Sequence, residues 1–311
     1  MKNKKKTVMV VLGGNSKERE ISLLTGKACA RAIKDLGFNV VYFDPKKNSY
    51  NTIDKEKVDI IFNALHGKEG EDGIAQTIFE YLKIPYTHSG VISSMQAMDK
   101  IISKKIFIRN KINTPKYSII NNNDNLLKKL KWIIKTKKIN FPLVIKPTNE
   151  GSSIGVKICK NITSAFNHVK KMIRSYENLI VENFIGGQEI QVAVLNGKAL
   201  GAIELRPKRK FYDYKAKYYS SAKTDHIMPA ELEKKKYNEV LKIAEKAHKI
   251  LKCEGVTRSD FKFFNNKFYL LELNTQPGMT KLSLVPEIAA HCKITFELLI
   301  KKLLLNSRIN K

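Results

Sequence analysis

Short apolar runs alternate along this chain with longer stretches whose apolar residues return every three or four positions. Thr7 to Leu12 is an apolar run of strand length, broken by Gly13-Gly14-Asn15-Ser16. Glu18 to Leu36 then places Ile21, Leu24, Ala28, Ala32 and Leu36 at helical spacing. Gly37 stops the helix, and Asn39–Phe43 resumes as a strand. Strand, helix and strand in that order predict a parallel pair with a right-handed crossover. Val58–Leu65 reads as a third strand, and a first α/β domain is expected over residues 1–94.

The next stretch predicts a helix over Gln96–Asn110, closed by Thr114-Pro115, and a strand over Tyr117–Ile120. A basic helix over Asp124–Thr136, a strand over Phe141–Lys146 and the loop Pro147–Gly155 come next. Strand Val156–Cys159, helix Ser164–Ser175 and strand Leu179–Phe184 complete a small α+β domain, residues 95–185. Glu189–Leu205 reads as a hairpin, because Asn-Gly at 196–197 is a strong two-residue turn signal. Lys234–Leu251 is an amphipathic helix with Val240, Ile243, Ala244, Ala247 and Leu251 inward. Val256–Phe264 and Phe268–Leu273 flank a turn at Asn265-Asn266, and Ile288–Leu305 is expected to be one closing helix. These make a third domain, residues 186–311.

The last hairpin carries the sharpest chemistry. Glu272 and Asn274, two residues apart, share a strand face, and pairing across the turn brings Asp260 near Glu272. Three oxygen donors at a strand end suit a hard divalent cation. Glu272 lies inside an apolar strand, where an unpaired charge is costly. Arg258 lies on the face of Asp260, and an arginine beside a metal is equipment for handling phosphate. Lys146, followed by the small-residue loop with Ser152 and Ser153, reads as a phosphate cradle. Lys100 and Lys217 are further phosphate candidates, and Glu182, at a strand end, could accept from a ribose. Phe211–Tyr219 interleaves aromatic and basic residues, which suits either base stacking or a lid over a phosphoryl-transfer site. His66 opens an unusually acidic, glycine-rich loop that continues to Gly73.

Composition changes little in this picture. The formal net charge is +28, but the lysines are dispersed and accompanied by Asn and Ile, as in a protein from an AT-rich genome. A nucleic-acid binder would cluster that charge, and no nucleic-acid partner is expected. Cys29, Cys159, Cys253 and Cys292 form no Cys-x-x-Cys pair, which fits a reducing cytoplasm. The basic N-terminus lacks a signal-peptide core, and no apolar run reaches membrane-spanning length, so no membrane association is expected.

With these residues assembled, the chain closely resembles the D-alanine–D-alanine ligase family of the ATP-grasp superfamily. Five blocks carry the likeness: Gly13–Gly26 (GGNSKEREISLLTG), His66–Gly73 (HGKEGEDG), Lys146–Gly155 (KPTNEGSSIG), Phe211–Tyr218 (FYDYKAKY) and Leu271–Pro286 (LELNTQPGMTKLSLVP). The resemblance implies an α/β (α+β) ATP-grasp fold, an N-terminal parallel-sheet domain followed by a two-domain ATP-grasp module. It implies that ATP phosphorylates one D-alanine carboxylate and that a second D-alanine attacks the acyl phosphate. D-alanyl-D-alanine, ADP and phosphate result, and the dipeptide serves peptidoglycan synthesis in the cytoplasm. Magnesium or manganese, as two ions, and a homodimer are also implied.

By position, the resemblance makes Asp260, Glu272 and Asn274 the metal ligands. It makes Lys100, Lys146, Ser152, Ser153, Glu182, Glu189, Phe211 and Lys217 contacts to ATP. Glu18 would hold the first substrate's ammonium beside His66, tied to Ser152 and Tyr218 in a hydrogen-bonded triad. Arg258 and the Gly278 N–H would stabilise an oxyanion, and Ser283 would bind the second substrate's carboxylate. Tyr218 favours a dipeptide product, since similar enzymes making D-alanyl-D-lactate tend to carry Phe there. Asn183, where many relatives place Lys, and Ser259, where an apolar residue is usual, depart from the pattern. The alternative of another ATP-grasp carboxylate–amine ligase shares the metal and ATP residues, and differs at the loops of Glu18, His66 and Tyr218.

Overall fold

The structure is a computed structural model that describes residues 5–207, 224–280 and 283–309. Its first sheet holds β1 (Thr7–Val11), β2 (Asn39–Phe43) and β3 (Ile60–Asn63) in the order β2-β1-β3, all parallel. β1 is buried on both faces, which explains its unbroken apolar sequence. The crossover helix α1 (Arg19–Asp35) joins β1 to β2 as the pattern predicts. Its buried face is Ile21, Ser22, Thr25, Cys29, Ala32 and Ile33, whereas Leu24 is 56% exposed. The inward stripe therefore keeps Ile21 and Ala32, leaves out Leu24, and takes in Ser22 and Thr25.

Two expected helices are each split in two. α3 (Val91–Met98) and α4 (Lys100–Arg109) meet at Asp99, whose carboxylate accepts from the N–H groups of Ile101 and Ile102 at 2.7 and 3.0 Å. That side-chain cap starts a new helix. The closing segment is likewise α8 (Leu284–His291) and α9 (Phe296–Leu305), with Thr295 accepting from Leu298 N. The helix α2 (Ile74–Leu82) and a short strand β10 (Thr224–Ile227) were not evident from the pattern.

The second sheet, β4 (Tyr117–Asn121), β5 (Leu143–Pro147), β6 (Lys157–Cys159) and β7 (Asn178–Asn183), runs antiparallel in the order β4-β7-β5-β6. α5 (Leu126–Lys137) and α6 (Ile162–Met172) bury Leu130, Ile133, Ala165 and Val169 in its core. The third sheet orders β10-β9-β8-β11-β12, with β8 (Gln188–Leu195), β9 (Lys198–Pro207), β11 (Val256–Phe264) and β12 (Lys267–Asn274). Asn196 and Gly197, and likewise Asn265 and Asn266, all have positive φ, as tight hairpin turns require. α7 (Lys234–Ile250) covers one face through Val240, Ala244 and Ala247. α8 and α9 pack with α1 and the first sheet in a single core. Among the described residues no helix is long and apolar enough to cross a membrane.

Ser259 lies on β11 between Val192 and Leu273, fully buried, and its hydroxyl has no hydrogen-bond partner among the described residues. A buried hydroxyl without a partner carries a desolvation penalty. Ser259→Ala is expected to raise unfolding stability by about 1 kcal/mol in urea denaturation. A loss of stability would mean that the hydroxyl has a partner after all.

Candidate active site

Two adjoining clefts lie where the second and third sheets meet. One is lined by Lys146 and Glu182 of the second sheet and by Glu189, Asp260, Lys262 and Glu272 of the third. The other gathers Glu18 and His66 from the first sheet's loops, Ser152, and Arg258, Asn274 and Gly278. Lys100, Glu150 and Glu272 line both, so the two form one continuous site.

Glu182, near the end of β7, is buried between two lysines: Lys146 Nζ at 2.6 Å and Lys104 Nζ at 2.9 Å. Lys104 also donates to Thr114 Oγ1 at 2.7 Å and lies over the Tyr117 ring. Burial pushes the Lys104 pKa down to about 8, against the pull of Glu182. Burial would raise the Glu182 pKa, but Lys104 and Lys146 overcome it and hold it below its ordinary value. Lys100 begins α4, donates to the Glu150 carbonyl at 2.6 Å, and sits 3.4 Å from Glu272 Oε2. Lys262 Nζ is 3.0 Å from Glu189 Oε2.

The expected pairing of Asp260 with Glu272 is present, with a register shift immediately after Asp260. Arg258 pairs with Asn274 in the same ladder and donates from Nε and Nη2 to the two oxygens of Asp260, at 2.7 and 3.0 Å. Asn274 Oδ1 accepts from Gln276 N at 2.6 Å. Two carboxylates and a carboxamide, the carboxylates neutralised here by Arg258 and Lys100, form a donor set that fits a hard divalent cation. A cation would compete with those two side chains for the same oxygens.

Glu18 immediately precedes α1 and is buried, its side chain not capping the helix, and Ser152 Oγ donates to its Oε1. The approach is close from both sides. A Cβ on Gly67 would lie 2.5 Å from Glu18 Oε2, and one on Gly151 would lie 2.9 Å from it. Gly67 has a positive φ besides, so its position favours glycine, whereas a side chain at Gly151 would displace the Glu18 carboxylate. Ser152 and Ser153 both have positive φ, which turns the loop toward Glu18. His66 is held by Glu71 Oε1 at Nδ1 (3.2 Å) and by Thr25 Oγ1 at Nε2 (3.0 Å). Ser283 Oγ accepts from Thr280 N at 2.9 Å beside Gly278. Phe211, Lys217 and Tyr218 lie outside the described residues.

Several residues of the site had not been singled out in the sequence. Lys104 is one turn from Lys100 on α4, a spacing that signals a shared face. Glu71 lies five residues after the His66 it holds. Glu150 accepts at one carboxylate oxygen from Tyr176 OH at 2.6 Å and Lys17 Nζ at 2.9 Å. That contact joins the first domain's loop to the second sheet's loop. Gln276 accepts from Asn63 Nδ2 at 2.7 Å and donates to the Leu65 carbonyl, tying the loop after β12 to β3. Nothing in a single sequence pairs residues that far apart.

A cleft between two antiparallel sheets, beside a parallel α/β unit, is the architecture of the ATP-grasp proteins. The D-ala D-ala ligase C-terminus family matches residues 106–305, and the D-ala D-ala ligase N-terminus family matches residues 44–89. A D-alanine–D-alanine ligase of Pelagibacter ubique (strain HTCC1062) is 56% identical over 306 residues, 98% of this chain and 99% of that protein. One from Geotalea uraniireducens (strain Rf4) is 41% identical over 302 residues, 97% and 95% of the two chains. The crystal structure of D-alanine–D-alanine ligase from Bacillus anthracis superposes with a TM-score of 0.85 at 33% identity, covering 97% of each chain. The same enzyme complexed with ATP gives 0.82 at 29% identity, again over 97% of each. This chain belongs to the D-ala D-ala ligase family.

Proposed function

We propose that this protein joins two D-alanines at the expense of ATP, through a D-alanyl phosphate. The observation that carries this reading is the continuity of the two clefts through Lys100, Glu150 and Glu272. A carboxylate activated on one side is then in reach of an amine on the other. The match to ligases of this name along nearly the whole chain supports it.

In this reading Lys100, Lys146, Ser152, Ser153, Glu182 and Glu189 contact ATP, with Phe211 and Lys217 contributing from the segment after β9. Lys100 and Lys146 offset phosphate charge, an interaction that strengthens where water is excluded. Glu18 holds the ammonium of the first D-alanine, and Ser152 fixes the carboxylate that does so. His66, restrained by Glu71 and Thr25, borders that ammonium subsite. Arg258 and the Gly278 N–H are aimed at the oxyanion that forms when the second amine attacks, and Ser283 takes the second carboxylate. Asp260, Glu272 and Asn274 would hold magnesium or manganese, as two ions, which supplies charge neutralisation for the transferring phosphoryl group. We place the enzyme in the cytoplasm, as a homodimer feeding peptidoglycan synthesis, with no nucleic-acid or membrane partner.

The test is phosphate release from ATP and Mg²⁺ with D-alanine alone and with D-alanine plus D-lactate, products read by mass. Phosphate matched by D-alanyl-D-alanine in both mixtures is expected. Depsipeptide as the main product near neutral pH would keep the mechanism and overturn the dipeptide assignment. Absence of D-alanine-dependent release from folded, ATP-binding protein would overturn the substrate.

A further inference from the structure

Gln191 is the one strongly buried residue of the third sheet, among those described, whose carboxamide lacks a partner at both ends. It is 1% exposed, and neither Oε1 nor Nε2 has a hydrogen bond. Unpaired buried amide atoms are destabilising, and native proteins keep few of them. Its place in the ladder is specific. β9, β8, β11 and β12 align Ile203, Gln191, Asp260 and Glu272 in one row across the sheet. Opposite residues on antiparallel strands share a face with their Cβ atoms about 5 Å apart. Gln191 is therefore the polar neighbour of Asp260 on the side away from Glu272. Ile203, on its other side, offers no hydrogen bond. Asp260 is already engaged at both oxygens by Arg258.

We propose that Gln191 is a positioning residue for the divalent cation held by Asp260 and Glu272, its carboxamide reserved for that cation's hydration water. The inference rests on the cation reading of this carboxylate pair. No described protein group pairs with the amide, and a hydrated cation at the carboxylates would give it a partner. Outer partners of this kind typically change metal affinity by ~10- to 100-fold when removed. A methionine has nearly the same length and no such polar atoms, so it should fit the same space.

Two measurements on wild type and Gln191→Met test this. Mn²⁺ binding in the presence of ADP is followed by the loss of the free-ion spin-resonance signal, and thermal unfolding is followed without metal or nucleotide. The expected result is a Mn²⁺ Kd raised about tenfold in the variant, together with a melting temperature equal to or above wild type. Equal Mn²⁺ affinity in the two proteins would overturn the role of Gln191 while leaving the cation site intact. A lower melting temperature in the variant would overturn it too, by showing that the amide has a partner in the free protein. Failure of folded wild type to bind Mn²⁺ with ADP would overturn both the inference and the cation reading beneath it.

Discussion

Glu272→Gln is expected to lower kcat by about 10³-fold or more, about 4 kcal/mol of transition-state stabilisation. Glu272 lines both clefts, lies 3.4 Å from Lys100 and pairs in register with Asp260. Glutamine keeps its size and removes the charge. With its side chain 26% exposed, Glu272 is not part of the core, so the variant should fold. The loss therefore falls on the cation and on the phosphoryl oxygens it would neutralise. Asp260→Asn should act in the same direction. It additionally leaves Arg258 without the carboxylate that now accepts from its Nε and Nη2. The two variants separate by their Mg²⁺ dependence. Raising Mg²⁺ should recover part of the Glu272→Gln activity, and less of Asp260→Asn, where the Arg258 guanidinium released from Asp260 stays beside the site and opposes the cation. Turnover near wild type in either variant, at ordinary Mg²⁺, would refute the assignment of these residues to a metal.

Local chemistry in the sequence foretold more of the molecule than its periodicity did. The parallel unit of β1, α1 and β2 was legible because an apolar run, a glycine break and a helical stripe occur in order. Both hairpin turns were legible because Asn-Gly and Asn-Asn tolerate positive φ. The second turn brought Asp260 near Glu272, but its register alone sets Asp260 against Leu271; the shift after Asp260, which puts Glu272 directly opposite, was not legible. The helix breaks at Asp99 and Thr295 were not legible, because apolar spacing continues through each, and only a side-chain cap marks the restart. Leu24 misled for a related reason. The inner face of α1 joins apolar Ile21, Cys29, Ala32 and Ile33 to Ser22 and Thr25, which bond with Gly13, the Ala64 carbonyl and His66, and Leu24 falls outside it. Lys104 was hidden by composition: in a chain so rich in lysine, no single one stands out until burial selects it.

That buried lysine gives the largest expected change in stability. Glu182→Gln is expected to destabilise the protein by roughly 3–5 kcal/mol, the usual consequence of breaking a buried ion pair from one side. Lys104 is completely buried, and Lys146 nearly so, with Glu182 between them at 2.9 and 2.6 Å. Without the carboxylate, two ammonium groups face each other, and Lys104 retains only Thr114 Oγ1 as an acceptor among the contacts described. The pH dependence carries a sign that distinguishes this cause. Folding already depresses the Lys104 pKa from 10.5 to about 8, so between those values the unfolded chain binds the extra proton. Stability from this group therefore rises with pH across that window. Removing Glu182 depresses the pKa further, so in the variant the rise should begin at lower pH and be larger. On the acid side the order reverses. The folded carboxyl of Glu182 titrates below its ordinary 4.5, so wild type loses its contribution as pH falls through that lower value, and the variant lacks that loss. Urea denaturation at several pH values measures both slopes. Adding Lys104→Met to Glu182→Gln should restore much of the stability at neutral pH, because it removes the stranded cation. A double variant no more stable than Glu182→Gln alone would show that Lys104 is not the charge Glu182 serves to neutralise.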